Sequence, residues 1–188
     1  MPDRSQPSRR ELIAGAAAMT TAVPALLHAA TPATAPALKG RTILITGSSS
    51  GFGRIGALHY ARLGAKVIAT MRNIPRPEAE TLAAEAAKDK LDLHVVEIDV
   101  TSDESVKNGT AKALQLSGGR IDTLVNNAGI GITGPVQVQD MGAARLIFET
   151  NGLGIQRMLR ALLPQMRTAK GGQIFNISSQ LGRVIVPG

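Results

Sequence analysis

The sequence predicts an α/β fold, a doubly wound parallel sheet with helices on both faces. Three observations lead there. From Lys39 onward, short runs of β-formers alternate with helical stretches, and such alternation builds βαβ units with right-handed crossovers. Aromatic residues make up 2% of the 188 residues against 44% hydrophobic, so the core must come from Ala, Leu, Ile and Val. That supply suits a parallel sheet under helices better than a β-sandwich. A glycine-rich loop, "TGSSSGFG" (Thr46–Gly53), also stands between the first strand run and the first helical one. The length allows one domain with a proper core, and neither an internal repeat nor a second domain is evident.

"TILIT" (Thr42–Thr46) is a buried strand, and a helix follows from about Gly51 to Leu63, stopped by Gly64. "KVIAT" is the second strand. "PEAETLAAEAAKDK" is a helix with Pro at its start and acids in its first turns, as the helix dipole favours. "LHVVEIDV" is the third strand, and "SDESVKNGTAKALQ" a helix weakened by about 1 kcal/mol at Asn108-Gly109. "IDTLVNNAG" is a fourth strand running into a loop. A long helical region, about Gln139 to Thr168, is interrupted by Gly152, Gly154 and Pro164, and "GGQIFNISS" is the fifth strand.

The net charge is +7, of which residues 1–35 carry +1. No basic run alternates with aromatics, which argues against a nucleic-acid stacking platform. A basic surface or a preference for anionic ligands fits the balance. The absence of cysteine excludes disulfides and thiolate metal sites, and His28, His59 and His94 show no ligand-like spacing, so no metal is expected. "SRRELI", with Arg9 and Arg10 before a mildly apolar, Ala-rich stretch, resembles a twin-arginine export signal. Residues 1–35 therefore read as signal and linker, and residues 39–188 as the domain. The expectation is export to the periplasm; the alternative is a loose extension of a cytoplasmic protein. Two Thr, a Pro and a His in the apolar stretch make it a poor permanent membrane span.

The glycine loop sits where unpaired backbone N–H groups and a helix dipole face the space above the strand ends. Gly47 permits a tight turn, Gly51 and Gly53 let a diphosphate approach the backbone, and Ser48 to Ser50 add hydroxyl donors. "TGSSSGFG" fits the T-G-x-x-x-G-x-G pattern of the short-chain dehydrogenase/reductase family. "NNAG" (Asn126–Gly129) matches that family's second signature. "IDVT" resembles its adenine-contacting segment, pointing to Asp99 and Val100. "ETNGLG" resembles the helix segment carrying its structural-catalytic asparagine, pointing to Asn151. "GGQIFNISS" resembles the strand leading to its catalytic serine, with the register favouring Ser179 over Ser178.

The resemblance implies a single Rossmann-type domain and hydride transfer between an alcohol or carbonyl substrate and a nicotinamide cofactor. It implies cofactor contacts at Gly47, Ser49, Ser50, Gly51, Phe52, Gly53, Arg72, Asp99, Val100, Asn126, Ala128 and Gly129. Cofactor choice follows from "ATMRN" after the second strand. An acid there would hold the ribose hydroxyls of NAD, whereas the guanidinium of Arg72 suits a 2′-phosphate, so NADP is favoured over NAD. The plainer alternative is that Arg72 is a solvated surface residue. Thr133, Gly134 and Pro135 are candidates for the near side of a substrate pocket.

The family's acid/base tyrosine and its lysine, in a Y-x-x-x-K motif after the serine, have no counterpart in the sequence. The sole tyrosine, Tyr60, has Gly64 four residues on and reads as a packing residue. The expectation is a fragment without the last strands and helices, marginally stable and inactive by itself. A homo-oligomer is expected of an intact family member and is doubtful for this chain. The alternative is a non-catalytic NADP-binding or interaction protein.

Overall fold

The computed structural model describes residues 38–132 and 134–180. The paired arginines, the leader-like segment and Thr133 lie outside the described residues. The elements run β1 (Thr42–Ile45), α1 (Gly51–Arg62), β2 (Lys66–Met71), α2 (Pro77–Lys88), β3 (Leu93–Glu97), α3 (Asp103–Leu116) and β4 (Thr123–Asn126). A short 3-10 turn (Val136–Val138), α4 (Met141–Phe148), a π-turn (Glu149–Leu153), α5 (Gly154–Thr168) and β5 (Gln173–Asn176) follow. The five strands form one parallel sheet in the order β3-β2-β1-β4-β5. The chain winds outward one way through β1, β2 and β3, then returns to β4 on the other side of β1. That reversal leaves a crevice above the C-terminal ends of β1 and β4.

The period-2 alternation of the strands sorts their side chains onto two faces. Ile43, Ile45, Val67, Ala69 and Val125 face one cluster, which Ala57, Leu58 and Ala61 of α1 and Leu82 of α2 complete. Leu44, Ile68, Val96 and Leu124 face the other, covered by Val106 and Ala113 of α3 and by Met158, Leu162 and Met166 of α5. Pro77 opens α2 with Glu78 and Glu80 in its first turn. The Ser102 hydroxyl caps α3 by accepting from the Ser105 N–H, 3.2 Å.

Two expectations need correction. The long helical region changes winding at Gly152 and Gly154, where a π-turn separates α4 from α5, but it is not interrupted at Pro164, which lies inside α5. Burial of Met158, Leu162 and Met166 against the sheet holds α5 together despite the proline. A Cβ at Gly154 would lie 3.0 Å from Cβ of Val100, so this glycine lets the start of α5 approach the segment after β3. The third strand is also shorter than its apolar run: the ladder ends at Glu97, and Ile98 to Val100 turn over the sheet edge. Among the described residues, no helix is long and apolar enough to cross a membrane.

Candidate functional site

The loops after β1, β2, β3 and β4 converge on a cleft of about 340 Å³ at the C-terminal edge of the sheet. The β1–α1 loop forms its floor. Gly47 has φ +71°, and a Cβ there would lie 2.7 Å from Cα of Ala128; at Gly53 it would collide with the Gly47 carbonyl. Only glycine lets the two loops and the first turn of α1 pack this closely. Ser50 precedes α1 in extended conformation, and its side chain makes no cap hydrogen bond. The first amides of α1 thus lack a side-chain partner at the N-cap, and the helix dipole there favours an anion.

Thr46 and Asn127 staple the floor to the β4 loop. The Thr46 hydroxyl accepts from the N–H groups of Asn127 and Ala128, both at 3.0 Å. Asn127 donates through Nδ2 to the carbonyls of Thr46 and Gly47, at 2.9 and 3.1 Å. Neither residue stands out in the sequence. Their signal lies in the "TG" before the loop and the second Asn of "NNAG", whose roles depend on two distant loops meeting.

The cleft brings together Gly47, Ser49, Ser50, Arg72, Asp99, Val100, Ala128 and Gly129 from the expected set. It adds Met71, Arg76, Ile98, Thr101, Asn127, Ile130 and Thr150. Gly51, Phe52 and Gly53 open α1 beside it without lining it, and the Phe52 side chain is 82% exposed. Asn126 also does not line it: its Nδ2 donates to Oδ1 of Asn176, 2.9 Å, linking β4 to β5. The expectation that Ser48 adds a hydroxyl donor is overturned. Ser48 is fully buried and donates back to the Ile45 carbonyl, 3.1 Å, closing the turn from beneath.

Arg72 and Arg76 stand together after β2 but differ in commitment. Arg76 grips Glu78 side-on, with Nε–Oε2 at 2.9 Å and Nη2–Oε1 at 3.0 Å. Its hydrogen bonds hold the Glu78 carboxyl below the usual range. Arg72 has no ion-pair partner among the described residues, so its fork of donors is available to a ligand. Asp99 is fixed by a turn: its Oδ1 accepts from the Thr101 N–H and hydroxyl, at 2.9 and 2.7 Å.

The π-turn supplies the remaining wall. Asn151 donates through Nδ2 to the Ile130 carbonyl, 2.8 Å, and accepts the Ile130 N–H at Oδ1, 2.9 Å. Its amide therefore splints the β4 loop. Ser179 follows β5 at the same sheet edge and is exposed. An uncapped helix start, a guanidinium without an ion-pair partner among the described residues and an unpartnered buried hydroxyl at Thr150 fit a nicotinamide dinucleotide. Bound there, its nicotinamide would supply the hydride chemistry, while these residues bind and orient it.

Residues 41–188 match the family described as short chain dehydrogenase. Retinol dehydrogenase 8 of Bos taurus is 40% identical over 147 residues, covering 76% of this chain and 45% of that protein. Estradiol 17-beta-dehydrogenase 1 of Rattus norvegicus is 36% identical over 154 residues, covering 77% and 42%. The gluconate 5-dehydrogenase of Burkholderia cenocepacia J2315, solved with NADP and tartrate, superposes with a TM-score of 0.72 at 29% identity, covering 80% of this chain and 58% of that one. The chain spans about half the length of the curated relatives it matches.

Proposed function

The chain belongs to the short-chain dehydrogenase/reductase family, and from that premise we propose that it is an NADP-dependent oxidoreductase interconverting an alcohol and a carbonyl. One observation carries the cofactor choice: Arg72 lines the cleft after β2 with its guanidinium uncommitted. A 2′-phosphate there would gain charge-assisted, forked hydrogen bonds, whereas NAD would present only hydroxyls. Support for the reaction class comes from the relatives, which are named for retinol and estradiol as substrates. A small-molecule alcohol or its carbonyl is therefore the substrate class. Ser179 would hold the substrate oxygen and Asn151 would keep the β4 loop in place beside it.

Exchanging Arg72 for Glu tests this. NADPH binding should weaken about a hundredfold, the scale of one lost charged pair plus a new repulsion, while NADH binding should hold or improve. A variant that keeps its preference for NADPH would sink the assignment.

The second reading is binding without catalysis. Tyr60 packs against the core formed with α1 and is not among the residues that line the cleft. Turnover of NADPH with retinal or a steroid ketone favours the enzyme; saturable binding without turnover favours the alternative. Export through Arg9 and Arg10 is part of the same proposal, for a twin-arginine route carries folded, cofactor-loaded protein. Residues 1–36 fused to a reporter should lose export when both arginines become Lys.

A further inference from the structure

Arg157, in the first turn of α5, is the least exposed of the ion-paired arginines among the described residues, its side chain 17% exposed. It does not line the cleft, yet its guanidinium reaches three segments that border it. Nη1 donates to the carbonyls of Val100, 3.3 Å, and Glu149, 3.5 Å. Nη2 donates to Oε2 of Glu149, 2.8 Å, and Nε to Oδ1 of Asp103, 3.2 Å. Val100 lines the cleft, Glu149 adjoins the lining residue Thr150, and Asp103 opens α3 just after the lining residue Thr101.

These contacts differ in weight. The Asp103 side chain is 83% exposed, so that pair contributes little. The Val100 carbonyl and the Glu149 carboxylate are the partners that matter, and a planar guanidinium fixes the angle between them. The segment after β3 is otherwise folded on itself: Asp99 accepts from Thr101 through Oδ1, and its N–H donates to the Ser105 hydroxyl, 2.9 Å. Arg157 joins that local turn to the π-turn, which Asn151 in turn joins to Ile130 of the β4 loop. Three loops of the cleft are thereby set in one arrangement before any ligand arrives.

We propose that Arg157 is a positioning residue for the dinucleotide: through the Val100 carbonyl and the Glu149 carboxylate it sets the spacing of the segment after β3 and the π-turn, and so governs affinity from behind the cleft wall. This rests on the dinucleotide reading above. Arg157→Met keeps the stem and removes the guanidinium, Arg157→Lys keeps the charge, and Glu149→Gln removes the partner's charge. Ile43→Val, in the core near the opposite end of β1, is a control that lowers stability away from the cleft. NADPH affinity of the folded proteins is measured by calorimetry, alongside ligand-free melting.

Arg157→Met and Glu149→Gln should each bind NADPH about tenfold more weakly, the low end for a lost charged hydrogen bond. The double variant should bind no more weakly than Arg157→Met, because both changes break one pair. Arg157→Lys, which still meets Glu149, should stay within about threefold of wild type, and Ile43→Val should melt lower yet bind as wild type does. Wild-type affinity in Arg157→Met and Glu149→Gln would overturn the proposal. So would additive losses in the double variant, or an affinity that falls with melting in Ile43→Val, since the pair would then serve stability alone. If Arg157→Met does not fold, the affinity of Glu149→Gln decides by itself. Wild type that binds no NADPH would instead remove the dinucleotide reading, and this proposal with it.

Discussion

Strands β1 and β5 flank the same neighbour, β4, and each leads into a loop at the candidate site, yet their surroundings are opposite. All four residues of β1 are buried, between two strands and two helical layers. All four residues of β5 are exposed, and among the described residues it pairs only with β4. The β1 loop carries the nucleotide floor; the segment after β5 carries Ser179. The half of the site that would hold the cofactor is therefore built into the core, while the half that would meet substrate rests on one ladder and the Asn126–Asn176 contact. Among the described residues, the glycine loop is thus anchored in the core, whereas Ser179 follows a strand exposed along its length.

The largest effect should come from cutting the buried strand. Leu44→Ala, at a fully buried site between Ile68 and Leu124, should destabilise by about 3–5 kcal/mol in urea unfolding. A loss below about 1 kcal/mol would show that β1 is not the anchor.

Asp122 comes next, at the far, N-terminal edge of the sheet. Its Oδ2 accepts the Thr42 N–H at 2.9 Å, and its Oδ1 accepts from Arg120 Nε at 2.7 Å and pairs with Arg41 at 3.7 Å. Burial pushes its carboxyl up, but the Thr42 amide, Arg120 and Arg41 outweigh burial and hold it below the usual range. Its contribution is thus full above the unfolded value, about pH 4, and is lost as pH falls through the lower folded value. Asp122→Ala should cost about 2–3 kcal/mol at neutral pH and leave nucleotide affinity intact, as Asp122 lies far from the cleft. Melting curves of Asp122→Asn should lose stability less steeply than wild type below about pH 4; equal slopes would remove the linkage.

Gly53→Ala separates floor from core. The added Cβ meets the Gly47 carbonyl, so a loss of about 1–3 kcal/mol should come with nucleotide binding weakened beyond detection by calorimetry. Binding at wild-type affinity would mean that the two loops need not touch. The smallest effect should fall on β5: Phe175→Ser, at a side chain 52% exposed, should change stability by under about 0.5 kcal/mol. A large loss would show that β5 is packed as β1 is, and the contrast would vanish.

What was legible in the sequence follows the same divide. Strand and helix order, the glycine floor and Arg72 are local signals, set by turn chemistry and by runs of apolar residues. Asn127, Arg76 and Thr150 were not legible, because each acquires its role from a partner or wall that only the fold supplies. Arg76 sits four residues after Arg72 like a second phosphate ligand, and only the side-on pair with Glu78 shows it committed elsewhere. The "ETN" segment marked Asn151 through its motif. Thr150 lies buried in the π-turn, a winding that no local pattern announces. Pro164 misled because a breaker acts against an isolated helix, and packing on the sheet overrides it.

The claim beneath all of this is that the cleft above β1 and β4 takes a nicotinamide dinucleotide and that Arg72 selects the phosphorylated form. Titration of the folded wild-type chain with NADPH and with NADH, followed by calorimetry, bears on it without any mutation. Saturable binding of NADPH, at least about tenfold tighter than NADH from one charge-assisted contact, is the outcome expected. NADH binding as tight as NADPH, or neither binding to folded protein, would contradict it.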